Sequence, residues 1–193
     1  MYLTMAKKRK EESLLLRDEH SVGCNQKEIE EIELFMKSRL PQAYQEFLLW
    51  MGHSCGRFLQ GSDCFYPILK DLQQYARELL SEDHYAGKLS EDAFIFFMHQ
   101  GYYFLFFHLT EGDDPPIYSY LENTTQPDQS TIVKEYSHLN DFLLAEMETY
   151  IQVGKEIIQQ NADIKKINPQ LARKLEALDR SLGATDSNTE SRS

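Results

Sequence analysis

From Ala93 to Leu109 the chain reads Ala93-Phe94-Ile95-Phe96-Phe97-Met98-His99-Gln100-Gly101-Tyr102-Tyr103-Phe104-Leu105-Phe106-Phe107-His108-Leu109, with no Asp, Glu, Lys or Arg. Two aromatic runs of strand length flank a glycine, which is the sequence form of a β-hairpin. With Gln100-Gly101 as the turn, side-chain alternation puts Phe94, Phe96, Met98, Tyr103, Leu105 and Phe107 on one face. The other face then carries Ile95, Phe97, Phe104 and Phe106, with His99, Tyr102 and His108 near its ends. Both faces are apolar, so neither can stand bare in water. The segment therefore demands a sheet with helices on one side and further chain, or a partner, on the other.

Helical patterns surround this hairpin. Asn25 followed by Glu28 has capping-box spacing, and Ile29, Ile32 and Phe35/Met36 recur with helical period. Leu40-Pro41 breaks that helix and opens the next, whose apolar face is Tyr44, Phe47, Leu48 and Met51, with Gly52 as a left-handed cap. Residues 53–68 are irregular. A third helix carries Leu69, Leu72, Tyr75/Ala76, Leu79 and Leu80 on one face, and Ser81 to Asp92 reads as a loop. Glu111-Gly112-Asp113-Asp114-Pro115-Pro116 is a turn, Ile117–Leu121 a third strand, and 123–131 a polar loop. A long helix from about His138 has Leu139, Phe142, Leu143, Met147, Tyr150 and Ile151 in phase. Asn168-Pro169 interrupts it, and Leu171, Leu175, Leu178 and Leu182 suggest a last short helix. The order is helices, then an antiparallel aromatic-rich sheet, then helices, an α+β fold. The expected organisation is a charged N-terminal arm (1–24), either a short helix or a mobile segment, an α+β domain (25–150), a C-terminal helical extension (151–182) and a disordered tail (183–193).

A chain of 193 residues can bury a substantial core without metal or disulfides. Cys24, Cys55 and Cys64 are odd in number and irregularly spaced, which points to reduced thiols in the cytosol. No signal peptide and no apolar run of membrane-spanning length is visible, so a soluble cytoplasmic protein is expected. The net charge is −11. An acidic body repels phosphate backbones and steers basic partners toward itself. The basic run Lys7-Lys8-Arg9-Lys10 is followed at once by Glu11-Glu12 and reads as a solvated arm.

The hairpin turn His99-Gln100-Gly101-Tyr102 resembles that of the SUKH superfamily, which includes a yeast cell-wall assembly regulator linked to killer-toxin resistance. Leu40-Pro41 followed by Tyr44 and Phe47-Leu48 is similar to that family's first-helix signature. Asp113-Asp114-Pro115-Pro116-Ile117-Tyr118 is similar to its acidic turn and proline-led strand, and Leu139-Asn140-Asp141-Phe142-Leu143 to the opening of its closing helix. Four weak motifs in the right order, over roughly residues 25–150, make the resemblance specific. Where many members carry paired glycines after the first signature, this chain has Gly52-His53-Ser54-Cys55-Gly56. The resemblance implies binding rather than catalysis. Bacterial members are typically immunity proteins that neutralise toxins, often nucleases or deaminases, and eukaryotic relatives resemble regulatory scaffolds.

The chemistry-bearing residues agree with a binding module. His99 at a turn is expected to hydrogen-bond backbone, and Gly101 to supply positive φ. His53, Cys55 and Cys64 fit no zinc template, and no metal or cofactor is expected. Adjacent Asp113-Asp114 in a Gly/Pro turn point apart, so with His108 they make poor acid–base machinery. Phosphate-loop, nucleophile-elbow and dinucleotide motifs are absent, and the aromatic runs lack the cations of an RNA-binding sheet. No catalytic residue is assigned. The expected partner is a basic cognate toxin domain, held by carboxylates around the sheet edges: Glu91, Asp92, Glu111, Asp113, Asp114 and Glu122. The alternative is a regulatory scaffold of the same fold that uses its C-terminal helices as the partner surface.

Overall fold

A computed structural model describes residues 1–122 and 131–167, with side chains to 163. The expected last helix, tail and most of the 123–131 loop lie outside the described residues. Contacts divide the chain into two units, Met1–Thr149 and Tyr150–Ser193.

In the first unit the elements run α1 (Thr4–Glu12), β1 (Ser21–Val22), α2 (Gln26–Met36), α3 (Gln42–Met51), β2 (Ser54–Cys55), β3 (Ser62–Asp63), α4 (Leu69–Glu82), β4 (Ala93–His99), β5 (Tyr103–His108), β6 (Ile117–Leu121), β7 (Ile132–Tyr136), and the start of α5 (Leu139–Ile167). Strands β3 to β7 form one antiparallel five-stranded sheet in sequence order, and β1 pairs with β2 separately. The fold is α+β, with helices packed on an aromatic sheet.

The hairpin forms with a different turn. His99 pairs with Tyr103, so the turn is Gln100-Gly101-Tyr102, with Gln100 and Gly101 both at positive φ. That slips the register near the turn by one residue. An irregularity between Ile95 and Phe97 takes up the slip, and Phe94 still meets Phe107. An extra residue in one strand reverses the facing of the side chains beyond it. Phe97 therefore joins Leu105 and Phe107, while Met98 joins Phe104 on the opposite face.

Local chemistry explains how each face is covered. The Asn25 side chain accepts from Glu28 N while Glu28 accepts from Asn25 N, a complete capping box that starts α2. Pro41 starts α3 and presents Tyr44, which meets Phe94, Phe96 and Phe107 at ring-centroid distances of 5.4, 5.7 and 5.2 Å. Phe142 of α5 adds edge contacts to Phe96 and Phe97. Such pairs contribute about 0.5–1.5 kcal/mol each beyond area burial. Gly52 caps α3 in a right-handed conformation, not the left-handed one its glycine suggests.

On the other face Phe104 stacks on Tyr120 and Phe106 on Tyr118. The Tyr120 hydroxyl donates to Asp83 at the end of α4, and Tyr85 packs edge-on against the same ring. Further chain covers this face. Where β3 has ended, the buried Gln73 of α4 takes a neighbouring strand's place. It accepts from Ile95 N at 3.0 Å and donates to Ile95 O at 2.7 Å, so both backbone groups of Ile95 are satisfied. β7 is an addition to the expected elements, which leave 132–137, between the polar loop and the long helix, unassigned.

Of the short helix and the mobile arm expected for the N-terminal segment, the structure has the short helix, α1, packed onto the core. Leu3, Ala6 and Leu16 are fully buried, and Ala6 N donates to Asn140 Oδ1 at 3.1 Å. In the second unit, the described part of α5 carries Gln152–Glu156 and Gln159–Asp163 hydrogen bonds at helical spacing. Val153, Ile157 and Ile158 are about half exposed there.

Candidate partner-binding site

Pairing of Ala93 with His108 sets the segment before β4 beside the segment after β5. Leu109 N donates to Asp92 O at 2.9 Å, closing that junction. β6 begins at the same end of the sheet, and Ala43 N of α3 donates to Asp113 O at 2.9 Å. Glu91, Asp92, Glu111, Asp113 and Asp114 thus share one end of the sheet. Glu122 does not: it follows β6, and its N–H bonds Tyr102 O beside the hairpin turn at the opposite end.

The gathered carboxylates have different roles. Asp92 is structural, accepting from Ser90 Oγ at 2.6 Å, from His108 Nδ1 at 3.1 Å and from Thr110 Oγ1. Those donors, Ser90 foremost, hold its carboxyl well below the usual range. Asp114 is also engaged, with Oδ2 3.1 Å from His138 Nδ1 and Oδ1 toward Leu139 N, where α5 begins. Glu111 accepts from Tyr118 Oη at 3.0 Å but stays exposed. Glu91 and Asp113 are exposed. Among the described residues none of these carboxylates is paired with a lysine or arginine. The end of the sheet therefore gathers five carboxylates without a lysine or arginine partner among the described residues, with Glu91, Glu111 and Asp113 exposed.

The basic run is different. Lys7 Nζ lies 2.8 Å from Glu46, Lys8 pairs with Glu12, and Arg9 Nη2 lies 3.0 Å from Glu148. Lys10 Nζ donates to Glu19 O. Three of these cations are folded onto the protein's own carboxylates and the fourth onto a backbone carbonyl, in place of the expected solvated arm.

The histidines also find partners the sequence does not reveal. His99 Nδ1 lies 2.9 Å from Ser62 Oγ of β3, a side chain in place of the expected backbone. His108 meets Asp92 and not Asp113-Asp114. His53 does not meet Cys55 or Cys64: Cys55 Sγ lies 3.3 Å from Ser21 Oγ, and Cys64 Sγ points to Ser62 O. All three thiols are buried, and burial raises their pKa, that of Cys24 to about 12. Thiols so protonated are poor nucleophiles. A cleft of about 490 Å³ is lined by Lys7, Glu46, Trp50 and neighbours on α3, not by the acidic turns.

Residues 23–145 match the SMI1/KNR4 family (SUKH-1). The chain belongs to this family. The SUKH-1 span takes in the sheet, all six carboxylates named above and the first turns of α5, and leaves out α1. None of the curated proteins matches the chain. The Leu40-Pro41–Tyr44 start of α3 lies within the matched span, and its tyrosine is the hub of the aromatic core. The Ser90 and Thr110 hydroxyls that tie Asp92 down carry no sequence signal, because only the β4–β5 register brings them together.

Proposed function

We propose that this chain is a non-enzymatic SUKH-1 binding module, an immunity protein that neutralises one cognate toxin by stoichiometric occlusion. The observation that carries this reading is the exposed acidic end of the sheet, whose Glu91, Glu111 and Asp113 have no lysine or arginine partner among the described residues. A nuclease or nucleic-acid deaminase binds phosphate through a basic groove. Outward carboxylates imitate those phosphates, accelerate encounter and block substrate. The three free thiols suit a reducing cytoplasm, and no described helix is long and apolar enough to cross a membrane.

The test is a titration of toxin activity, with the product of a neighbouring toxin gene as probe. Inhibition that saturates at one equivalent supports occlusion; an enzyme unaffected by excess chain sinks the immunity reading. A second reading, a regulatory scaffold, rests on the half-exposed Val153, Ile157 and Ile158 of α5. Ile157→Asp discriminates the two, because it abolishes partner binding only where that helix is the contact surface.

A further inference from the structure

Three donors outside the acidic surface converge at the start of α2. Cys24 lies just before the helix, Glu28 in its first turn, and His53 after α3. The Cys24 sulfur, a Glu28 carboxylate oxygen and a His53 ring nitrogen all lie within 4.8 Å of one another. His53 Nε2 stands 3.1 and 3.0 Å from the two Glu28 oxygens. An ion pair accounts for those two residues, but it gives no role to the buried Cys24 sulfur beside them.

We propose that Cys24, Glu28 and His53 form a zinc-class divalent cation site. A tetrahedral ion with bonds of about 2.0–2.3 Å separates its donors by roughly 3.3–3.7 Å. The His53–Glu28 spacing needs only a few tenths of an ångström of opening to admit the ion. Thiolate, imidazole and carboxylate are the ligand types zinc takes, and three protein ligands leave a fourth position for water. The His53 and Glu28 side chains are 33% and 20% exposed, which gives the ion and that water a way in. Cys24 closes the inner side.

The surroundings hold the donors in place. Cys24 N donates to Leu48 O at 2.8 Å, and His53 N to Val22 O at 2.9 Å. Asn25 N donates to Glu28 Oε2 at 2.8 Å, orienting the carboxylate as an outer-shell partner would. A Cβ on Gly52 would stand 2.5 Å from Cys24 Sγ, so the glycine leaves room for the sulfur. On binding, the Cys24 thiol gives its proton to solvent and the thiolate bonds the ion, while neutral His53 binds through Nε2. The doubly charged cation is balanced by thiolate and carboxylate. Its role is a clamp between the start of α2 and the end of α3.

The experiment uses the full chain, reduced and stripped of metal, with Co²⁺ as a spectroscopic probe and Zn²⁺ as competitor. Expected are one equivalent of Co²⁺ bound, a thiolate-to-cobalt charge-transfer band and d–d bands of four-coordinate cobalt, all displaced by Zn²⁺. Cys24→Ser removes the charge-transfer band, whereas Cys55→Ser and Cys64→Ser keep it. His53→Gln weakens Zn²⁺ binding about tenfold or more, and Zn²⁺ raises the Tm of the parent chain but not of this variant. Circular dichroism confirms that each variant is folded. A folded parent chain with no charge-transfer band overturns the site. So does a band that survives Cys24→Ser, or His53→Gln binding Zn²⁺ as tightly as the parent.

Discussion

Two charged regions of this protein meet opposite fates. At the N-terminus, Lys7, Lys8 and Arg9 lie on Glu46, Glu12 and Glu148, and the helix bearing them is pinned by buried Leu3 and Ala6. At the open end of the sheet, Glu91, Glu111 and Asp113 face outward with no lysine or arginine opposite them among the described residues. In sequence the two look alike, each a short charged run beside a structured segment. A charge count alone therefore does not reveal which charges are available. Internal pairing takes up Lys7, Lys8 and Arg9, while Glu91, Glu111 and Asp113 stay exposed without such a partner.

The sharpest way to break this contrast is to ask whether the N-terminal segment truly belongs to the core. Leu3→Ala is expected to cost about 2–4 kcal/mol in urea unfolding, as for other buried leucines. A cost near zero would return the segment to a solvated arm. A smaller effect separates structural from outward carboxylates. Asp92→Asn should cost about 1 kcal/mol, since a partly exposed, hydrogen-bonded carboxylate is screened by water. Its folded-state pKa is depressed, so its contribution is complete above the unfolded value of about 3.9 and is lost as pH falls toward the folded one. Between about pH 5 and pH 2 the parent chain should therefore lose more stability than Asp92→Asn. Equal losses would remove Asp92 from the fold's acid response. The smallest effect belongs to Lys8→Ala, whose exposed pairing with Glu12 should matter by under about 0.5 kcal/mol. A larger loss would show that even the outermost cation is structural.

Much of the fold is legible in the sequence because apolar pattern dominates it. The Ala93–Leu109 hairpin, the capping box at Asn25 and the Tyr44 face of α3 each state their structure locally. The turn is not legible, because two- and three-residue turns differ by one residue of register, and the irregularity near Phe96 restores the pairing of Phe94 with Phe107. β7 escapes notice because Ile132-Val133-Lys134-Glu135-Tyr136 is largely exposed and becomes a strand by pairing with β6. The burial of Leu16 is equally hidden, since it lies in a charged segment without helical period. The acidic residues are readable as acidic, but not as sorted. Only topology sends Glu122 to the opposite end of the sheet, and only the β4–β5 register gives Asp92 its Ser90 and Thr110 donors. Cys24, Glu28 and His53 belong to no linear motif, because the packing of α2 against α3 assembles them.

The central claim is that the outward carboxylates steer a basic protein onto the end of the sheet. Its most direct measurement is the association rate with the cognate toxin domain, from low to high salt, for the parent chain and for the Glu91→Gln, Glu111→Gln, Asp113→Asn triple variant. The account predicts a parent rate that falls steeply as salt rises, since exposed charges are screened beyond about 8 Å at physiological ionic strength. It predicts a variant about tenfold slower at low salt, with a flatter salt dependence and unchanged stability. A parent rate indifferent to salt, or a variant that associates as fast as the parent, would contradict it.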